Sequence, residues 1–94
     1  MWAIDQEKHV QKCLDRAPRR IQERFEIWKD IVVSQGPVGL LQIRGFYDHA
    51  LSGQWKGARS SYLNDQWRVI YVIQARAIKV IVLEVTPHDY RKKS

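Results

Sequence analysis

Apolar residues in the first third of the chain recur with the period of an α-helix. Four of them fall at i, i+3, i+4 and i+7 and predict a first amphipathic helix: Val10, Cys13, Leu14 and Ala17. Pro18 ends that helix and suits the start of a second one. The second helix places four large apolar residues on one face: Ile21, Phe25, Trp28 and Val32. Gly36 and Pro37 end it, so a helical hairpin is predicted. A short strand at residues 2–4, with Asp5 as the helix N-cap, is predicted before the hairpin.

After residue 57 the pattern changes to that of β-strands. Three segments rich in β-branched and aromatic residues are predicted strands: residues 58–63, 66–73 and 77–85. Asn64 and Asp65 form a two-residue turn signal, which predicts a hairpin between the first two strands. A pairing of Arg59 with about position 70 would leave Arg68 near Ser61, and whether the two arginines share a face is open at this point. The predicted fold class is α+β, with the N-terminal helical hairpin packed on one face of a mainly antiparallel β-sheet.

The composition indicates one basic globular domain that spans residues 1–94. Sixteen Lys and Arg residues against ten Asp and Glu residues leave a net charge of +6. This excess favours a polyanionic partner such as nucleic acid, although a small basic protein can also bind none. Cys13 is the only cysteine, which excludes an intrachain disulfide and favours a reducing compartment. The sequence has no signal peptide and no long apolar run, so we expect a cytoplasmic protein with no membrane partner.

The sequence has no motif for a metal or a cofactor. The three histidines lie at positions 9, 49 and 88, without the spacing of a metal-binding pair. A Gly-rich phosphate-binding loop and the Gly-x-Ser-x-Gly motif of serine hydrolases are both missing. We therefore expect no metal and no cofactor, and the sequence does not favour conventional metalloenzyme or serine-hydrolase chemistry.

Residues 48–71 concentrate cations and large aromatic side chains around the predicted hairpin. Lys56, Arg59 and Arg68 are interleaved with three aromatic residues: Trp55, Tyr62 and Trp67. The tail can fold back onto this segment and deliver further polar groups: His88, Asp89, Tyr90 and Arg91. Metal-free RNA cleavage uses such parts, since a base deprotonates the ribose 2′-OH, cations stabilise the phosphorane and an acid protonates the leaving 5′-oxygen. Aromatic rings and guanidinium planes can also stack on unpaired bases.

These residues also have structural interpretations. Each of the three cations, taken singly, could be a solvated residue of the sheet, and Trp55 could anchor a loop. Asp48 and His49 could form no more than a hydrogen-bonded loop pair. His88 follows Pro87 at the end of a strand, so it is expected to be exposed. An imidazole titrates near neutrality and can serve as acid or base there.

Two segments resemble the RelE family of bacterial toxins from type II toxin–antitoxin systems. They read GFYDHALSGQWKGARSSYLNDQWRVIY and VTPHDYRKK. The DHAL–G–WKG–R part is similar to the YafQ branch, and RSSYLNDQWRVIY with a terminal DY is similar to the HigB branch. The resemblance implies two N-terminal helices on a curved antiparallel sheet. It also implies an mRNA interferase, an endoribonuclease that cleaves mRNA in the ribosomal A site without metal and leaves a 2′,3′-cyclic phosphate.

The resemblance further implies a set of partners. These are mRNA on the ribosome, with contacts to 16S rRNA, and a cognate antitoxin protein that winds around the toxin. Operator DNA is expected to be bound only through the antitoxin, since such complexes usually repress their own operon.

The resemblance implies catalytic roles for named positions. His49 matches the histidine of the DH motif and, helped by Asp48, is the candidate for the base or for positioning the 2′-OH. Three cations match family residues that would hold the phosphorane: Lys56, Arg59 and Arg68. Three residues match the C-terminal His, or Asp-Tyr, of such toxins, with the first as general acid: His88, Asp89 and Tyr90. Further substrate contacts are expected from Asp48, Trp55, Lys56, Arg91 and Lys92. YafQ has a further histidine and an aspartate where this chain has Tyr62 and Gln66, so the YafQ acid–base set does not carry over whole.

Two other functions remain open at this stage. A ParE-like toxin would keep the fold and inhibit DNA gyrase by protein contact alone. The clustered cations and the ionisable residues of the tail argue against it, because such inhibition needs no acid–base group. A non-catalytic module for binding RNA or a partner would show salt-sensitive RNA affinity without product formation.

Overall fold

The computed structural model describes residues 1–87, which form five strands and three α-helices. The strands are β1 (Ala3–Gln6), β2 (His49–Ala50), β3 (Arg59–Tyr62), β4 (Arg68–Gln74) and β5 (Lys79–Thr86). The helices are α1 (Lys8–Arg16), α2 (Arg19–Gln35) and the single turn α3 (Val38–Leu41). Short 3₁₀ turns lie at Arg44–Phe46, Gly53–Trp55 and Ala75–Ala77. None of the helices within residues 1–87 has the length and apolar character of a membrane span.

The strands form one sheet in the order β1-β5-β4-β3-β2. Neighbouring strands are antiparallel, except that β1 runs parallel to β5. The α+β prediction, a helical hairpin on a mainly antiparallel sheet, is therefore confirmed. The predicted N-cap at Asp5 is wrong, because β5 offers hydrogen-bond partners that extend β1 through Gln6. The Asp5 carboxylate instead pairs with Lys79 Nζ at 3.1 Å.

The apolar face of α2 forms the centre of the core, as the sequence predicts. Its four predicted residues are all buried: Ile21, Phe25, Trp28 and Val32. They pack against a layer of buried sheet residues: Val69, Tyr71, Val80, Val82 and Val85. Pro18 lies at the N-terminal boundary of α2, and Gly36 ends it with φ of 78°, a left-handed conformation that glycine adopts without a Cβ clash. Burial of this face, rather than helix propensity, holds the helix in place.

The hairpin between β3 and β4 differs from the sequence prediction. Tyr62 pairs with Arg68, so residues 63–67 form the connection and the predicted two-residue turn is wrong. Neither Asn64 nor Asp65 has the positive φ that a two-residue hairpin turn requires. Instead Asn64 Oδ1 accepts hydrogen bonds from the backbone N–H groups of Gln66 and Trp67, at 2.8 and 2.7 Å. This side-chain turn makes the loop longer and sets the strand register.

The register also settles which residues share a face of the sheet. Arg59 lies opposite Tyr71 and Tyr62 lies opposite Arg68, one position away from the predicted pairing. Residues that lie directly opposite one another share a face, and the face alternates along each strand. The helix face, which α2 covers, therefore carries Arg59, Ser61, Val69 and Tyr71. The far face carries Ser60, Tyr62, Arg68 and Ile70, so the two arginines lie on opposite faces.

Candidate active site

Asp48 and His49 are adjacent in the sequence, but their side chains lie on opposite sides of the sheet. His49 pairs with Ser60 and so belongs to the far face. The Asp48 carboxylate contacts residues of the helix face. The chain reaches these two residues through Tyr47, whose φ of 42° and ψ of 47° are left-handed. The structure therefore separates the two halves of the DH motif.

The Asp48 carboxylate is the centre of a buried hydrogen-bond network. Its side chain is 0% exposed. Oδ1 accepts a hydrogen bond from Arg59 Nε at 2.7 Å, and Oδ2 accepts one from Ser61 Oγ at 2.6 Å and one from the Tyr71 hydroxyl at 2.5 Å. Trp28 Nε1 of α2 donates to Ser61 Oγ at 2.9 Å. The network joins α2, β3 and β4 to the residue that precedes His49.

The network contains one carboxylate, Asp48, and one guanidinium, Arg59, whose opposite charges balance each other. Burial would lower the pKa of Arg59, but the hydrogen bond and the charge of Asp48 outweigh it and raise that pKa above its ordinary value. Burial, together with the hydrogen bond to Asp48, raises the pKa of Tyr71. The phenol therefore stays protonated and donates to the carboxylate over the whole neutral range.

Tyr71→Phe tests this network with a small change of shape. Removing the hydroxyl is expected to lower the free energy of unfolding at neutral pH by about 1.5–3 kcal/mol, the usual value of a hydrogen bond to a charged group. A raised folded-state pKa favours folding below the unfolded value of about 10 and loses that contribution as the pH rises further. Chemical denaturation as a function of pH should therefore show a flatter alkaline decline in the variant than in the wild type. An equally steep decline in the variant would mean that ionisation of Tyr71 does not cause the loss of stability at alkaline pH.

The far face holds an aromatic group around His49. Its imidazole Nδ1 lies 2.8 Å from the Tyr47 carbonyl oxygen, a hydrogen-bond acceptor, so the neutral ring carries its proton on Nδ1. Nε2 then carries the lone pair; it is buried and has no hydrogen-bond partner among residues 1–87. The Tyr47 ring centroid lies 5.4 Å from His49 and 5.2 Å from Tyr62. His49 and Tyr62 are 6.2 Å apart.

Arg68 completes this group from the neighbouring strand. Its guanidinium carbon lies 3.7 Å from the centroid of the Tyr62 ring, a cation–π contact. Nη1 donates to the Asp65 carbonyl at 2.9 Å and lies 3.4 Å from that of Asn64. The side chain is only 6% exposed, and the ion pairs formed within residues 1–87 do not include it. We call His49, Tyr47, Tyr62 and Arg68 the far-face cluster.

Comparison with solved structures identifies the fold of the chain. A scan against protein-family models and a search of curated proteins found no match. The archaeal RelE–RelB complex from Pyrococcus horikoshii matches with a TM-score of 0.74 at 24% identity, over 99% of this chain and 98% of that one. The E. coli DinJ–YafQ toxin–antitoxin complex matches with a TM-score of 0.74 at 18% identity and covers 99% of this chain and 98% of that chain. The YoeB/ParE toxin from Agrobacterium tumefaciens matches with a TM-score of 0.74 at 12% identity, over 93% of this chain and 99% of that one.

This chain has the RelE-like toxin fold. The resemblance seen in the sequence is therefore confirmed at the level of the fold.

Within this RelE-like fold, the residues predicted for the site occupy three places. His49 and Arg68 lie in the far-face cluster, whereas Asp48 and Arg59 lie in the buried network on the other face. Trp55 closes the 3₁₀ turn Gly53–Trp55, and Lys56 follows it as an exposed residue. The predictions for the tail lie outside the described residues: His88, Asp89, Tyr90, Arg91 and Lys92.

Sequence reasoning missed two members of the far-face cluster. Tyr47 directly precedes the DH motif, but no sequence pattern showed that the chain takes a left-handed turn there. Tyr62 was noted among the aromatic residues near the cations and as a departure from YafQ, but its pairing with Arg68 was not predicted, because the predicted register was one residue away. Within residues 1–87, no three His, Cys, Asp or Glu side chains are grouped so as to hold a metal ion.

Proposed function

We propose that this chain is the toxin of a type II toxin–antitoxin pair and acts as an endoribonuclease on mRNA. In this proposal the enzyme needs no metal, cleaves in the ribosomal A site and leaves a 2′,3′-cyclic phosphate after attack by the 2′-OH. The fold supports the toxin role, because similar structures are described as toxins or as complexes with RelB and DinJ. A cognate antitoxin is accordingly the protein partner that we propose.

The observation that carries the nuclease proposal is the state of His49. Its Nδ1–H is tied to the Tyr47 carbonyl, and its buried Nε2 has no partner among residues 1–87. An imidazole held in this way keeps the Nε2 lone pair uncommitted, and in this proposal the substrate's 2′-OH reaches that nitrogen and gives up its proton to it. In this proposal the electron pair of the 2′-oxygen then attacks the adjacent phosphorus, and the bond to the 5′-oxygen breaks.

The cations have different places in this proposal. Arg68, stacked on Tyr62 next to His49, is the residue we assign to the charge of the phosphorane. Arg59 has its Nε committed to Asp48, so its terminal Nη groups are the part that a phosphate oxygen could contact. Lys56 is exposed after a 3₁₀ turn and suits a contact with the RNA backbone. Protonation of the leaving 5′-oxygen stays assigned to His88, with Asp89 or Tyr90 assisting, as a prediction from the sequence.

The test of this function is cleavage of a defined mRNA by the purified chain, with and without programmed ribosomes. EDTA is added to the ribosome-free reactions, and both fragment ends are mapped at nucleotide resolution. The proposal expects cuts that depend on the ribosome and leave cyclic-phosphate ends. Intact mRNA together with inhibited gyrase would favour the ParE-like alternative. RNA affinity without any product would favour a binding module.

Arg68→Lys separates the shape of the guanidinium from its charge. Lysine keeps the positive charge but cannot stack as a plane on Tyr62, so we expect the cleavage rate to fall by about 10²–10³. Single-turnover cleavage on programmed ribosomes measures the effect, and thermal unfolding shows whether the hairpin persists. Arg76→Lys, in the exposed turn Ala75–Ala77, is the matched control. Wild-type cleavage by Arg68→Lys would remove the stacked guanidinium from the mechanism.

A further inference from the structure

Tyr47 combines an unfavourable backbone conformation with an exposed ring. Its φ of 42° lies in the left-handed region, where a residue other than glycine costs on the order of 1 kcal/mol. Its side chain is 59% exposed, so burial contributes little in return. The turn itself has a structural purpose, because it lets Phe46 enter the core while Asp48 reaches its network. Glycine or asparagine would make that turn with less strain, so the turn does not explain why the residue is a tyrosine.

The Tyr47 ring is held in a fixed orientation beside His49. It makes a T-shaped contact with Tyr62 at 5.2 Å and 70°, and a tilted contact with the imidazole at 5.4 Å and 52°. Such edge-to-face contacts stabilise a ring without covering both of its faces. More than half of Tyr47 therefore remains open to solvent, with its ring in contact with the His49 imidazole.

The charges around this ring suit a phosphate backbone. Arg68 supplies a guanidinium to the cluster, and the nearest acidic residue in sequence, Asp48, faces the other way and is bonded to Arg59. Glu84 lies where the β4–β5 register shifts, and its carboxylate is paired with His9 of α1 at 3.1 Å. The chain as a whole carries a net charge of +6. A flat aromatic surface beside a cation is the usual platform for an unpaired base of single-stranded nucleic acid.

We propose that Tyr47 binds the RNA substrate by stacking on the unpaired base next to the scissile phosphate. The inference rests on the proposed nuclease function and adds a residue that determines specificity. A base stacked on Tyr47 places its ribose near the His49 imidazole, whose Nε2 the 2′-OH has to reach for deprotonation. The larger ring system of a purine gains more from this contact than a pyrimidine does, so cleavage should favour a purine at that nucleotide.

Tyr47→Asn is the decisive variant, because asparagine tolerates the left-handed conformation and removes the ring. We expect its KM on programmed ribosomes to rise roughly 5- to 150-fold, the loss of one stacked base, with little change in kcat. The preference for a purine should fall, and Tyr47→Phe should keep both KM and preference. Ile78→Asn is the matched control, since Ile78 is also left-handed, with φ of 51°, and is 50% exposed.

A second measurement separates this inference from the nuclease proposal. Fluorescence anisotropy gives the affinity for a short single-stranded RNA whose 2′-O-methyl groups block cleavage. We expect Tyr47→Asn to weaken this affinity by a similar factor relative to Ile78→Asn. Equal affinities of the two variants, or no RNA affinity in the wild type, would overturn the stacking role. If the wild type binds this RNA, Tyr47→Asn weakens the binding, and no mRNA is cleaved, the nuclease proposal is overturned and Tyr47 is left as a base-stacking residue of an RNA-binding module.

Discussion

His49→Asn is expected to lower the rate of RNA cleavage by about 10²–10⁴, the usual contribution of a general base. The reason is geometric: an asparagine amide can still donate to the Tyr47 carbonyl in place of Nδ1, but it has no lone pair at the position of Nε2. The fold should therefore persist while the chemistry is lost. Single-turnover cleavage on programmed ribosomes gives the rate, and circular dichroism with thermal unfolding reports the fold.

The matched control for this variant is His9→Asn. His9 lies on α1, half exposed, with Nε2 bonded to Glu84 at 3.1 Å, and takes no part in the far-face cluster. Its replacement should leave cleavage unchanged. Wild-type cleavage by His49→Asn would exclude this imidazole as the base. An equal loss in both variants would show that the assay reports stability rather than catalysis.

Asp48→Ala is expected to destabilise the protein strongly, by about 3–5 kcal/mol, because it leaves a largely buried guanidinium without its counter-charge. Arg59 is only 29% exposed, and Ser61 and Tyr71 lose their acceptor at the same time. In a domain of this length each kcal/mol lowers the melting temperature by about 4–8 °C, so the loss should reach at least roughly 12 °C. A small domain is stable by only about 5–15 kcal/mol, so much of that margin would disappear. Differential scanning calorimetry measures the loss in melting temperature, and urea unfolding measures the loss in the free energy of unfolding.

Two further variants test whether the pair, rather than the position, is responsible. Asp30→Ala removes an exposed carboxylate of α2 and should change stability by no more than about 0.5 kcal/mol. Arg59→Met combined with Asp48→Ala should cost clearly less than the sum of the single variants, since both charges are then removed. Additive losses would mean that the two side chains do not act as a pair. The network would then not be what fixes the segment before His49.

The far-face cluster shows why part of the site was predictable. His49 was predicted because the DH motif resembles that of YafQ-like toxins, and Arg68 because it belongs to the cation cluster and matches an arginine of HigB-like toxins. Imidazole and guanidinium groups also suit phosphoryl transfer by their chemistry. Their neighbours, Tyr47 and Tyr62, depend on a left-handed turn and on a strand register. The left-handed turn and the strand register both arise from interactions between segments that are distant in sequence, so no local sequence pattern predicts them. The predicted roles of His88 and of the residues after it lie outside the described residues and stay predictions.

The sequence alone determined the helices and strands that a local pattern of apolar and polar residues predicts. The helical period of Ile21, Phe25, Trp28 and Val32 predicts α2 because one apolar stripe must be buried, whatever covers it. The β-branched segments predict β3, β4 and β5 for the same kind of reason. The helix-then-strand order was enough for the α+β class.

Only the tertiary structure decided which side chains meet. The Asn64 side chain lengthened the hairpin turn, and a shift of one residue in strand pairing moves every side chain to the other face. That shift placed Arg59 with Asp48 on the helix face and Arg68 with His49 on the far face. Side-chain direction in a sheet is set by pairing between strands and not by composition. The DH motif therefore became one buried anchor and one candidate base.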